Sequence, residues 1–153
     1  MASIDRSDPI ILGHVLAEHH DLFNRMCAVR HAFAAERRPE PEQAPALTEC
    51  LRSLRDHLES HFRQEERGGF LEEAVARMPR LHASVTALIA EHPALMNELD
   101  TIIGGLPSSL ESAEAWHQAG RAFETFATNM LAHERNENAV VQEGYNEDLG
   151  LLD

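Results

Sequence analysis

At 153 residues the chain is long enough for one domain whose core needs no disulfide or other staple. Its 26 acidic residues against 13 basic ones, a formal charge of −13, argue against a nucleic-acid or anionic-membrane partner. No long apolar run and no signal-peptide pattern appear, so a soluble cytoplasmic protein is expected, and Cys27 and Cys50 are too few for a disulfide framework.

Apolar residues recur three and four apart without sustained alternation, which predicts an all-α chain. The first helix, about 9–37, opens at "SDPIIL", with Ser7 or Asp8 as cap and Pro9 in the first turn, where proline is tolerated. Its stripe runs Leu12, Val15, Leu16, His19, Leu22, Phe23, Met26 and Phe33, and it fades into "RRPEPEQAP". The second, about 44–67, presents Leu54, Leu58, His61, Phe62 and Glu65 and stops at Gly68-Gly69. A short helical piece, "FLEEAVARM", precedes Pro79.

The third, about 79–103, carries Leu81, Val85, Leu88, Ile89, His92, Leu95, Met96, Leu99 and Ile102, with Pro93 expected to kink or open it. The fourth, about 109–144, starts where Ser108 and Glu111 match a capping box, and its stripe is Phe123, Phe126, Met130, His133, Glu137, Val140 and Val141. Short connections between four helices predict one domain, residues 1–153, folded as an up-down-up-down antiparallel bundle.

Ten histidines are the compositional anomaly, and four stand in the apolar stripes, one per helix: His19, His61, His92 and His133. The second and fourth helices add a glutamate one turn on, in "HFRQE" (His61, Glu65) and "HERNE" (His133, Glu137). Residues four apart share a helix face, so each pair points inward together. A carboxylate placed in a core costs several kcal/mol unless something compensates it. Four imidazoles and two carboxylates converging in a bundle make a di-metal site, with the carboxylates bridging the cations and the imidazoles capping them. The donor set suits two iron ions, with zinc or manganese as alternatives, because no thiolate is offered. His57, one turn before His61 on the same face, is a further candidate, either as ligand or as a neighbour bonded to one. His14 is a weaker one, and His20, His31, His82 and His117 are expected at the surface.

"EHHDLF" (Glu18 to Phe23), "HFRQEE" (His61 to Glu66), "EHPALMNEL" (Glu91 to Leu99) and "HERNE" resemble the four helix motifs of the hemerythrin-like, HHE cation-binding family. The resemblance spans about residues 8 to 145, and "HFxxEE" is its most specific piece. It implies a four-helix bundle around a non-haem di-iron centre held by His19, His61, Glu65, His92, His133 and Glu137. Members bind oxygen reversibly, sense oxygen or iron, or act on peroxide or nitric oxide species. Oxygen carriers of the family have a second histidine on the third helix, where this chain has Leu88. They also place the last carboxylate five residues after the histidine, where this chain has Asn138, with Glu137 one earlier. The site is therefore more similar to the bacterial HHE branch, and simple oxygen storage is disfavoured.

Other readings fit less well. "HLESH" lacks the glutamate of the zinc-protease H-E-x-x-H, since Leu58 stands there. A ferritin-like site needs Glu-x-x-His on two helices, and only "EAWH" (Glu114 to His117) has that spacing. Iron–sulfur repair relatives carry a cysteine-bearing N-terminal region, and the few residues before the first helix contain no cysteine. Cys27 and Cys50 fall at similar heights on neighbouring helices, as a redox-sensitive pair or, more commonly, as buried apolar thiols. Glu18, Glu66 and Glu134 flank the ligands, facing water or orienting ligands from outside. The function expected is a di-iron protein that binds or senses oxygen, nitric oxide or iron. A peroxide-disproportionating or repair enzyme is the alternative, and a metal-free helical scaffold the last.

Overall fold

The structure, a computed structural model, describes residues 8–35 and 37–150, and the side chains of 13, 14, 16–35 and 37–145. Ser7 and the side chains of Leu12 and Val15, named above, lie outside the described residues. Four long helices carry the fold: α1 (Asp8–Phe33), α2 (Ala44–Glu66), α4 (His82–Gly104) and α6 (Ala113–Gly150). Two short ones join them, α3 (Phe70–Arg77) and α5 (Leu106–Ser109), and a 3-10 turn, Pro79–Leu81, leads into α4. The chain is an all-α bundle, with no strand among the described residues.

The helix ends differ from expectation where local chemistry overrides the stripe. α1 stops at Phe33, its last buried apolar residue, rather than near residue 37; beyond it the exposed Arg37 and Arg38 give the helix nothing to pack. Ser108 is no N-cap, because it lies inside α5 and gives its carbonyl to Glu111 N–H at 3.2 Å. Ser112 takes that role, its Oγ accepting Ala115 N–H at 3.0 Å, and α6 begins there. α4 runs unbroken through Pro93, whose ring faces solvent. Gly68 sits at φ +103°, a left-handed conformation that glycine adopts without penalty, and it turns the chain from α2 into α3.

Side-chain pairs fix the helix directions. Glu18, Asp21 and Arg25 of α1 meet His61, His57 and Ser53 of α2, one chain rising as the other falls. The same reversal pairs Arg55 with Asp100 and Glu66 with His92 between α2 and α4, and Glu91 with His133 and Glu98 with Asn129 between α4 and α6. α1 and α6 run antiparallel through Arg30–Glu124 and His19–Glu137. The four helices thus close a ring in the order α1, α2, α4, α6.

Buried apolar side chains gather in two clusters. The larger holds Leu22, Met26, Leu51, Leu54, Leu58, Phe62, Leu95, Leu99, Trp116, Phe126 and Met130. The smaller joins Leu71 and Ala74 of α3 to Val85 and Leu88 of α4 and to Val140, Val141 and Tyr145 of α6. On α6 the stripe passes from Met130 through His133 and Glu137 to Val140, so a polar layer lies between the two clusters. Leu16 and Phe23, placed in the α1 stripe above, are 47% and 37% exposed. The buried line on that helix is His19, Leu22, Met26, Val29, Phe33, which leaves them on its flanks. No helix of the described residues is long and apolar enough to cross a membrane.

α3 closes the end of the bundle through a backbone approach to α6. A Cβ on Gly144 would lie 2.7 Å from the Ala74 Cβ and 2.9 Å from its Cα. Gly144→Ala is expected to destabilise the fold by about 1–2 kcal/mol: overpacking costs about 1–3 kcal/mol and outweighs the helix-propensity gain of about 1 kcal/mol. Urea unfolding measures it, and a variant as stable as the parent contradicts this packing.

Candidate metal centre

One buried carboxylate organises the polar layer. Glu137, 2% exposed, turns Oε2 toward α1 and α2, where it lies 3.0 Å from His19 Nε2 and 3.8 Å from His61 Nε2. Its Oε1 faces α4 and α6, at 3.8 Å from His92 Nε2 and 2.5 Å from His133 Nε2. Glu65 Oε1 lies 3.0 Å from His61 Nε2 and 3.8 Å from His92 Nε2, touching both halves as well. The donor atoms form two groups compact enough for one ion each: His19, His61 and Glu137, and Glu65, His92, His133 and Glu137. All six residues singled out from the sequence therefore converge, and Glu137 belongs to both groups.

The far ring nitrogens meet carboxylates from outside. His133 Nδ1 is 2.6 Å from Glu91, His92 Nδ1 is 3.2 Å from Glu66, and His61 Nδ1 is 3.8 Å from Glu18. A carboxylate hydrogen-bonded behind an imidazole, as at His133 and His92, favours the tautomer whose Nε2 presents a lone pair inward, whereas Glu18 is only a near neighbour of His61. Phe62 stacks on the His92 ring at 3.8 Å between centroids and meets His133 edge-on at 5.6 Å, which restricts both rings.

Inside the layer the polar atoms are poorly satisfied by one another. His61, His92 and His133 Nε2, Glu65 Oε1 and Glu137 Oε1 are buried and have no hydrogen bond, although several lie at hydrogen-bond distance. Leaving so many buried groups unpaired is costly, and a pair of divalent cations among them would satisfy all of them at once. The donor set, imidazole nitrogens and carboxylate oxygens with Glu137 common to both groups, fits such cations.

A hemerythrin HHE cation-binding domain model matches residues 12–143 of the sequence. The chain belongs to the hemerythrin HHE family. It is therefore a cation-binding domain, in keeping with the two donor groups. No curated protein and no solved structure gives a significant match to it.

Several expectations around this HHE layer need revision. His57 does not join either group; its Nε2 lies 3.5 Å from Asp21, and burial together with Arg25 lowers its pKa. Glu134 does not face water but is 5% exposed, with Oε1 unpaired. Glu91 was missed as a partner of His133; its place one residue before His92 was the signal available. Leu88 fills the third-helix position with packing, inside the smaller apolar cluster. Cys27 is half-buried, Cys50 exposed rather than buried, and both thiols are free. His14, the weaker candidate, is exposed and joins neither group, and His20, His31, His82 and His117 are exposed, as expected.

Proton affinities in the layer follow from burial and from these neighbours. Burial, reinforced by Glu137, pushes Glu65 from 4.5 up to about 7 against the pull of His61, and burial also takes Glu134 to about 7. Burial opposes charge on His61, yet Glu137 and Glu65 outweigh it and raise it from 6.5 to about 10. The same contest raises His19 and His133, with Glu137 deciding both. Burial would raise Glu137 too, but the four imidazoles aimed at it hold it well below the usual carboxylate range.

A group with a higher pKa folded than unfolded stabilises the fold at low pH and loses that contribution as pH rises through its folded value. Glu65 and Glu134 give up stability between 4.5 and about 7, and His61 between 6.5 and about 10. Glu137 runs the other way, its contribution fading only as pH falls below 4.5. The metal-stripped HHE chain is thus expected to melt at a lower temperature at about pH 8 than at about pH 5.5. Cations compete with these protons, so the rise in melting temperature on loading grows over the same interval. Calorimetry at both pH values checks it; a stripped protein that is more stable at the higher pH contradicts the charge assignment.

Proposed function

We propose that this chain is a non-haem di-iron protein that binds or senses a small ligand, oxygen or nitric oxide, or iron itself. The observation that carries the reading is the division of the Glu137 carboxylate between two pairs of imidazoles. His19, His61 and Glu137 would hold one ion, and Glu65, His92, His133 and Glu137 the other. Iron suits imidazole and carboxylate donors, with zinc or manganese as competitors, and neither cysteine lies in a donor group. Bound iron supplies a reversible redox change and a coordination position for the ligand.

The halves are unequal, and the difference supports small-ligand binding. A cavity of about 60 Å³ opens beside the three-donor half, lined by His19, His61, Glu65, Glu137, Phe70 and Leu71. That is room for a few water-sized molecules, which matches a diatomic or peroxide and excludes a larger substrate. Phe70 and Leu71, brought there by the Gly68 turn, keep its far wall apolar and limit bulk water. Glu18 and Gln64 also line the cavity, Glu18 standing half exposed.

Metal analysis of protein purified without a histidine tag tests the reading. About two irons per chain are expected, with near-ultraviolet oxo-bridge bands that respond to oxygen or nitric oxide. Turnover of peroxide would move the reading to the enzyme alternative, and no metal or one loosely held zinc would end it. Glu65→Ala is expected to lower metal content and melting temperature together, since binding is linked to folding. In a metal-free scaffold, the same change removes a buried charge and leaves stability equal or higher.

A further inference from the structure

The outer carboxylates follow a rule that runs around the ring of helices. Glu18 on α1 reaches His61 on α2, Glu66 on α2 reaches His92 on α4, and Glu91 on α4 reaches His133 on α6. Each is the sequence neighbour of one of the six central residues: Glu18 precedes His19, Glu66 follows Glu65, and Glu91 precedes His92. Continued once more, the pattern calls for a carboxylate on α6, beside a central residue, directed at His19 on α1. Glu134, which follows His133, is the carboxylate of α6 that stands beside a central residue.

Two unsatisfied atoms mark the gap. His19 Nδ1 is buried without a hydrogen bond, and so is Glu134 Oε1. Glu134 is 5% exposed, unlike the other three outer carboxylates, whose side chains are 42–48% exposed. A buried carboxylate oxygen with no hydrogen bond persists at a cost unless another state of the protein uses it.

The tautomer of His19 supplies that state. Its Nε2 sits 3.0 Å from Glu137 Oε2, which leaves Nδ1 as the ring nitrogen without a partner. A cation takes the Nε2 lone pair, so the neutral ring must keep its proton on Nδ1, and a buried N–H then needs an acceptor. We propose that Glu134 is the positioning residue of His19, accepting the Nδ1 proton when Nε2 is given to a cation, and so closes a ring of four carboxylate–imidazole pairs. The inference rests on the di-metal reading and goes beyond it, since it gives the three-donor half its own orienting group.

Zinc, which is diamagnetic, is the probe. Zinc titration against a competing chelator is expected to give a weaker constant for one of the two ions in Glu134→Leu, by about 10–100-fold. Glu134→Gln, which retains an acceptor oxygen, should lose less. Nitrogen-15 histidine spectra of the zinc-loaded parent should show His19 protonated at Nδ1, with a hydrogen-bonded proton that is absent in Glu134→Leu. The metal-stripped variants should melt no lower than the parent, because an unpaired buried carboxylate has been removed. Two zinc ions in the parent with unchanged constants in both variants would overturn this role and leave the di-metal reading standing. Equal losses of melting temperature with and without zinc would make Glu134 merely structural, and a parent that takes up no zinc would remove both.

Discussion

The structure turns on one buried negative charge. Glu137 lies in the middle of four imidazoles, one from each long helix, and the bundle's antiparallel register is what brings them to a common level. A carboxylate so deeply buried costs more than a single partner returns, and each imidazole around it is itself a buried polar group. The arrangement is therefore poor as a plain core. Its stability depends on something placed among the inward nitrogens and oxygens, and the two apolar clusters on either side hold the frame while that position is filled or empty.

Much of this was legible in the sequence because helical spacing is a strong signal. His61 with Glu65 and His133 with Glu137 had to share a face, and His19 and His92 interrupted stripes that were otherwise leucine, valine and phenylalanine. All six converge in the structure. Less legible was everything set by tertiary contact. Glu134 and Glu18 look alike in sequence, each beside a histidine, yet one is buried and the other half exposed, because helix packing decides which flank of a stripe is covered. His57 has the right spacing from His61, but a turn toward the end of α1 places it against Asp21. The starts and ends of helices depended on a short helix, α5, that absorbed the expected cap at Ser108.

The two halves of the layer differ in a way that bears on access. The half with four donors lies against Phe62, which stacks on His92 and meets His133 edge-on. The half with three donors faces the cavity under α3. Leu88, standing where oxygen carriers of the family have a histidine, belongs to the cluster that seats α3 and α6 together. That packing, with the close approach of Gly144 to Ala74, makes α3 both the cap of the bundle and the wall of the cavity. One eight-residue helix thus supplies both the cap of the bundle and a wall of the cavity.

In the proposed reading two cations share Glu137. X-ray absorption on the iron-loaded protein tests it most directly, because it reads the distance between metals rather than their number. The account predicts a nitrogen and oxygen first shell and an iron–iron scattering path at about 3.5–4 Å, the usual separation in carboxylate-bridged pairs. An iron spectrum with no metal–metal path, at full loading, would mean isolated ions and would contradict the shared carboxylate.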